Sequence, residues 1–205
     1  MQLYDSRLAP NPRRVRWFMV EKGIDDIEVI DVDLMQGAHK TPEYLARAGI
    51  AQAPALTMDC GTTITESLAI CRYLESLHPE PNMFGRDPKE TAIVEMWTRR
   101  AELLAALPLM LAVRHGHPAL AALETQAPEV AANNRAQADR SLALFDRRLA
   151  ESEWIGAERV TIADGVLYMG MEFARLVRFA VPEELTNLAR WQTAMRSRAS
   201  AKAGT

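Results

Sequence analysis

Strand signals in this chain end at residue 65, and that one-sided distribution narrows the architectures open to it more than any other feature. Between His78 and Pro88 the sequence carries Pro79, Pro81, Gly85 and Pro88, too many breakers to sustain a helix. A domain boundary is placed there, giving domains of residues 1–80 and 88–205. Past it, the apolar positions Ile93, Trp97, Leu104 and Leu107 recur at helical spacing, and a second long helix is expected to carry Leu142, Phe145 and Leu149. A third starts at Thr161-Ile162-Ala163-Asp164, where Thr161 and Asp164 make a capping box with Asp in place of the usual Glu. Gly165 and Gly170 within it leave room for close approach by neighbours, and Trp97, Trp154 and Trp191 read as core or interface residues.

Before the boundary the signals alternate. Gln2 to Asp5 is a short strand, followed by a helix with Asn11 as N-cap, Pro12 as first helical residue, Val15, Phe18 and Met19 as its apolar stripe, and Gly23 as terminator. Ile27 to Val32 alternates as a strand should, and Thr41-Pro42 to Gly49 marks a short helix. Ala55 to Met58 and Thr62 to Thr65 flank the turn Asp59-Cys60-Gly61 as an antiparallel hairpin, and an apolar helix opens at Glu66-Ser67. The order βαβ, helix, ββ, helix is that of a thioredoxin-like fold, so the fold class is an α/β thioredoxin-like N-terminal domain plus an all-α C-terminal domain.

Composition removes several classes of partner. A net charge of −3, from 24 basic and 27 acidic residues among 205, gives no electrostatic footprint for nucleic acid or an anionic membrane. The doublets Arg13-Arg14, Arg99-Arg100 and Arg147-Arg148 read as solvated helix faces. The start of the chain has neither a basic nor an apolar leader region, and the longest apolar run, Leu103 to Val113, is short and interrupted by Pro108. A cytoplasmic protein is expected. Cys60 and Cys71 make no Cys-x-x-Cys motif, so thiol chemistry would have to use a thiol brought in from outside.

Two stretches carry binding chemistry. A Pro beside a strand, here Pro54, exposes the backbone N–H and C=O of the preceding Ala53 to an extended peptide ligand, which can pair with them as an added strand. Twelve residues beyond, Glu66 and Ser67 at a helix start can divide a zwitterion: the carboxylate takes an ammonium, and the hydroxyl with the free helix N–H groups takes a carboxylate.

These motifs in this order, with the proline-rich linker and the Thr-x-x-Asp box of an all-helical second half, resemble the cytosolic glutathione transferase superfamily over essentially the whole chain. The resemblance implies a two-domain subunit, usually a homodimer, with glutathione as co-substrate on the first domain and a small electrophile or disulfide as partner substrate. Carried onto this sequence, it puts Glu66 and Ser67 on the γ-glutamyl group, Ala53 beside a cis Pro54 on the cysteinyl backbone, Gln52 as a side-chain contact, and Lys40, with His39, near the glycine carboxylate. The usual Asn-Pro before that segment is Ala48-Gly49 here.

At the catalytic position the chain departs from the better known classes. Ala9 stands where some classes hold serine, and Pro10 where others hold cysteine. Pro10-Asn11 is similar to the bacterial nu-class-like transferases, in which an asparagine or threonine lies near the glutathione sulfur, so Asn11 is the catalytic candidate; Tyr4 and Ser6 are the alternatives. Met110 and Arg114 are implied as lining for the second substrate. His115 and His117, with no third ligand nearby in sequence, read as a loop pair with no metal. The expected activity is thiolate attack on small electrophiles in detoxification, or glutathione-dependent disulfide reduction; a non-catalytic transferase-like binding module is the contrasting reading.

Overall fold

The protein's structure, a computed structural model, describes residues 1–203 and divides into two compact units. One runs from Met1 to Pro81 and takes in Lys202 and Ala203; the other is Asn82–Ala201.

The first unit is built on four short strands, β1 (Gln2–Asp5), β2 (Glu28–Asp31), β3 (Ala55–Thr57) and β4 (Thr63–Thr65), in the order β2-β1-β3-β4. β1 runs parallel to β2 and antiparallel to β3, and β4 is antiparallel to β3. Its helices are α1 (Pro10–Lys22), α2 (Pro42–Ala48) and α3 (Ser67–Leu77). Leu3 and Leu56, paired across the sheet, are fully buried with Val15, Phe18, Ile70 and Leu74 of the helices, and form the core. Thr41 caps α2 by accepting from the Tyr44 N–H at 3.3 Å, and Gly49 closes it in the left-handed conformation. The amine of Lys22, removed from solvent, donates to the carbonyls of His78 and Pro81 at 2.7 Å each and pairs with Glu75, which fastens the end of α3 to α1.

Helix α1 starts earlier than its sequence suggests. Ala9, extended at φ −72° and ψ 137°, is the residue before the helix, so Asn11 is the second helical residue and not the N-cap. Pro10 explains the shift: its fixed φ suits the first helical position, where its missing N–H costs no hydrogen bond.

The second unit is helical throughout its described residues: α4 (Pro88–Arg100), a π-helical turn (Ala101–Ala106) running into α5 (Leu107–Gly116), then α6 (Pro128–Glu151), α7 (Ile162–Ala174) and α8 (Thr186–Ser197), with short 3₁₀ turns between. Leu142, Phe145 and Leu149 lie on the buried face of α6, and Trp97, Trp154 and Trp191 are buried. α7 is buried on every side from Ile162 to Met171. At Gly170 an added Cβ would stand 2.6 Å from the Ala106 Cα, so this glycine sets the distance between α7 and the π turn.

Leu104 and Leu107 break the expected stripe. Both are exposed, while Ala101, Ala105, Ala106 and Leu109 are buried. The π turn shifts the helical register, with the Leu107 N–H reaching back to the Glu102 carbonyl, and Pro108 is the cause. A proline inside a helix cannot bond to the carbonyl four residues earlier and collides with it. That carbonyl, on Leu104, accepts instead from the Ser141 hydroxyl at 2.7 Å.

Near the start of α4, Glu90 takes both arms of Arg159, at 2.6 and 2.9 Å, and Arg159 Nε donates to the Asn82 carbonyl at 2.8 Å. The guanidinium holds the Glu90 carboxyl down at about 2, so the pair stays charged across the physiological range. No helix among the described residues is long and apolar enough to cross a membrane.

Candidate functional site

Strand register gathers most of the candidate residues of the first unit. Tyr4 pairs with Ala55, and Ala55 with Thr65, so the row at this end of the sheet is followed by Asp5 and then Ser6 on one strand, preceded by Pro54 on the next and followed by Glu66 on the third. β2, parallel to β1, leaves the sheet at the same end and leads through the turn Ala38–Lys40. Asn11, Lys40, Gln52, Ala53, Glu66 and Ser67 therefore all hang from connections leaving one edge. The hairpin turn with Cys60 lies at the opposite edge.

α3 opens without a side-chain cap. Glu66, the residue before it, is exposed and held at φ 65° and ψ 115°, a conformation that costs a residue with a Cβ on the order of 1–3 kcal/mol. Its carboxylate makes no capping hydrogen bond, and the first N–H groups of the helix are left for an outside acceptor. Ser67 is buried, and its Oγ accepts from Arg14 Nη1 at 2.7 Å. With its oxygen accepting from a guanidinium, the Ser67 hydroxyl keeps its own proton available to donate.

Arg14 is only 2% exposed, which corrects its reading as part of a solvated doublet. The signal was present in the spacing: Arg14 stands beside buried Val15 and one turn before Trp17 and Phe18, on the apolar side of α1. A carboxylate brought to the α3 N-terminus would therefore meet a hydroxyl and helix N–H groups backed by a buried positive charge.

The Ala53–Pro54 peptide bond is cis, as is Glu80–Pro81. Ala53 sits outside the strand ladder, and neither its N–H nor its C=O makes a backbone hydrogen bond among the described residues. Gln52 is exposed, and its carbonyl accepts from the Tyr44 hydroxyl at 2.6 Å. Lys40 is exposed, whereas His39 is buried with its Nδ1 unpaired; burial, then the Lys40 charge, push the imidazole below its ordinary value.

Asn11, partly exposed in the first turn of α1, makes no side-chain hydrogen bond among the described residues. Ser6 precedes the helix, its carbonyl accepting from the Ala9 N–H at 3.1 Å. Tyr4 is committed elsewhere: its hydroxyl donates to Gln2 Oε1 at 3.3 Å, and its ring lies edge-on to Tyr44 with the Arg47 guanidinium 4.7 Å from its centroid. Cys71, one turn after Ser67, is fully buried, and desolvation pushes its thiol up to about 12. Neither cysteine offers this edge a reactive thiol. In the helical unit, Met110 is buried, and Arg114 is half exposed and paired with Glu124 at 2.5 Å.

A thioredoxin-like unit with a four-stranded mixed sheet, joined in sequence to an all-helical unit, is the glutathione transferase fold. The family model "Glutathione S-transferase, N-terminal domain" matches residues 3–82, and "Glutathione S-transferase, C-terminal domain" matches residues 102–199. Glutathione S-transferase 2 of Saccharomyces cerevisiae is 33% identical over 205 residues, spanning 98% of this chain and 88% of the yeast protein. The crystal structure of Gtt2 from the same yeast matches with a TM-score of 0.92 at 32% identity, covering 100% of both chains. A glutathione S-transferase domain-containing protein of Marinobacter aquaeolei VT8 matches with a TM-score of 0.92 at 32% identity, over 98% of this chain and 99% of that one. The chain belongs to the glutathione S-transferase family.

Proposed function

We propose that this transferase holds glutathione along the sheet edge described above and activates its thiolate for attack on a small electrophile. The observation that carries the reading is the pairing of Ser67 with buried Arg14 at an uncapped helix start. Ser67 and the first α3 N–H groups take the γ-glutamyl carboxylate, and Glu66 takes its ammonium. Ala53 pairs with the cysteinyl backbone, Gln52 adds a side-chain contact, and Lys40, with His39, meets the glycine carboxylate. Met110 and Arg114 are assigned to the second substrate by the family resemblance.

A thiol with an ordinary pKa of about 8.5 is only a few per cent thiolate at pH 7. Lowering that value by about two units takes ~2.7 kcal/mol, within reach of one or two hydrogen bonds of ~1.5–3 kcal/mol to a charged sulfur. Asn11 supplies one of them through its unpaired amide, as a dipole that neither takes nor gives a proton. The thiolate then forms a carbon–sulfur bond while the electrophile's leaving group departs with the bonding electrons. The same thiolate can instead attack a disulfide sulfur, breaking the S–S bond and releasing the other sulfur as thiolate. A second glutathione thiolate then attacks the mixed disulfide at the glutathione sulfur, forming glutathione disulfide and releasing the remaining substrate sulfur as thiolate.

Asn11→Asp tests the assignment. It places a negative charge beside the sulfur, so the variant is expected to fold normally, lose most conjugating activity at pH 7 and recover part of it as the pH rises. Parent-like activity and an unchanged thiolate absorbance titration would move the role to Ser6. Homodimerisation through a closed twofold interface belongs to the same proposal, and light scattering at micromolar concentration should give twice the subunit mass. A monomer would remove that part alone.

A further inference from the structure

Residues 50–54, between α2 and β3, form no backbone hydrogen bond among the described residues. One side chain holds this stretch: the Tyr44 hydroxyl, donating to the Gln52 carbonyl at 2.6 Å. Tyr44 is itself firmly seated, 6% exposed on α2 and edge-on to Tyr4 of β1 with ring centroids 6.2 Å apart. Burial keeps its hydroxyl up at about 12, so it remains a donor throughout the working pH range.

The Gln52 carbonyl belongs to the same peptide group as the Ala53 N–H. That group is planar and trans, so its C=O and N–H point in opposite directions. Pinning the carbonyl onto Tyr44 thus aims the Ala53 N–H away from the body of α2. We propose that Tyr44 is a positioning residue for the peptide ligand, its hydroxyl orienting the Ala53 amide that pairs with the cysteinyl backbone. This rests on the glutathione-binding reading above. Without the hydroxyl, the peptide group is free to rotate in a segment with no other internal bond, and the ligand must order it on binding.

The experiment is calorimetry with S-methylglutathione, an unreactive probe, on the parent, Tyr44→Phe and Ser67→Ala, with thermal unfolding and steady-state kinetics beside it. Tyr44→Phe is expected to weaken binding roughly 3- to 10-fold, the effect of one neutral hydrogen bond. KM for glutathione should rise in parallel while kcat at saturation stays at the parent value and the melting temperature falls by no more than the loss of one neutral hydrogen bond allows. Unchanged binding in Tyr44→Phe, with weakened binding in Ser67→Ala, overturns the positioning role and leaves the site standing. Unchanged binding in both variants overturns the site itself. A larger fall in melting temperature, with a fall in kcat beside the binding loss, also overturns the proposal, because it marks general loosening of α2.

Discussion

Ser67→Ala is expected to weaken glutathione binding by roughly 10- to 150-fold, the effect of losing one hydrogen bond of ~1.5–3 kcal/mol to a charged group. The loss has two parts. The variant removes the donor assigned to the ligand carboxylate, and it takes the acceptor from Arg14 Nη1 in a buried setting. A fall in stability should accompany the fall in affinity. Glu66→Gly separates the two effects, since Glu66 is exposed and holds φ 65°, which glycine adopts freely. That variant should bind glutathione less well and yet unfold at a higher temperature. Calorimetry showing parent-like affinity in both variants would end the assignment of this helix start to the γ-glutamyl group.

Asp164→Ala should destabilise the helical unit by on the order of 4–5 kcal/mol, among the largest single-residue effects. Asp164 is fully buried at the start of α7 and accepts four hydrogen bonds: from the Thr161 N–H and hydroxyl at 2.9 Å each, the Ile155 N–H at 3.0 Å and the Trp191 indole at 2.9 Å. Burial pushes its carboxyl above the ordinary range, and the four bonds oppose that shift. Alanine leaves all four donors without this acceptor, each at a cost of ~1–3 kcal/mol that overlaps with the others. Trp191→Phe removes one donor and keeps the aromatic packing, so it should cost only about 1 kcal/mol. Urea unfolding followed by tryptophan fluorescence and circular dichroism measures both. Equal, small losses in the two variants would show that the carboxylate is not the centre of this network.

How much of this was readable from residues alone depended on how far each signal reached along the chain. The element order, the Thr41 cap, the left-handed glycines at the ends of α1 and α2, and the Thr161–Asp164 box were all legible, because each needs only neighbours a few residues away. The stretches Gln52-Ala53-Pro54 and Glu66-Ser67 were found from chain position and chemical type, and strand register then put them at one edge of the sheet.

Tertiary structure decided the rest, through contacts that no local window contains. The place of Arg14 on the apolar side of α1 could be read from local spacing, but its partner, a serine 53 residues further on, could not. Pro108 was visible, but whether it would kink, end or π-wind the helix depended on Ser141, 37 residues away, being placed to satisfy the displaced Leu104 carbonyl. The start of α1 was a closer contest between two local solutions, and the proline at the first helical position prevailed over an asparagine cap. Sequence by itself determined which segments would be strand or helix and which residue types could bind a zwitterionic peptide, because propensity, capping and turn chemistry act locally. The buried charge beneath Ser67, the strained backbone of Glu66 and the tether from Tyr44 to Gln52 arose only when the chain packed, because each depends on which groups lose water together.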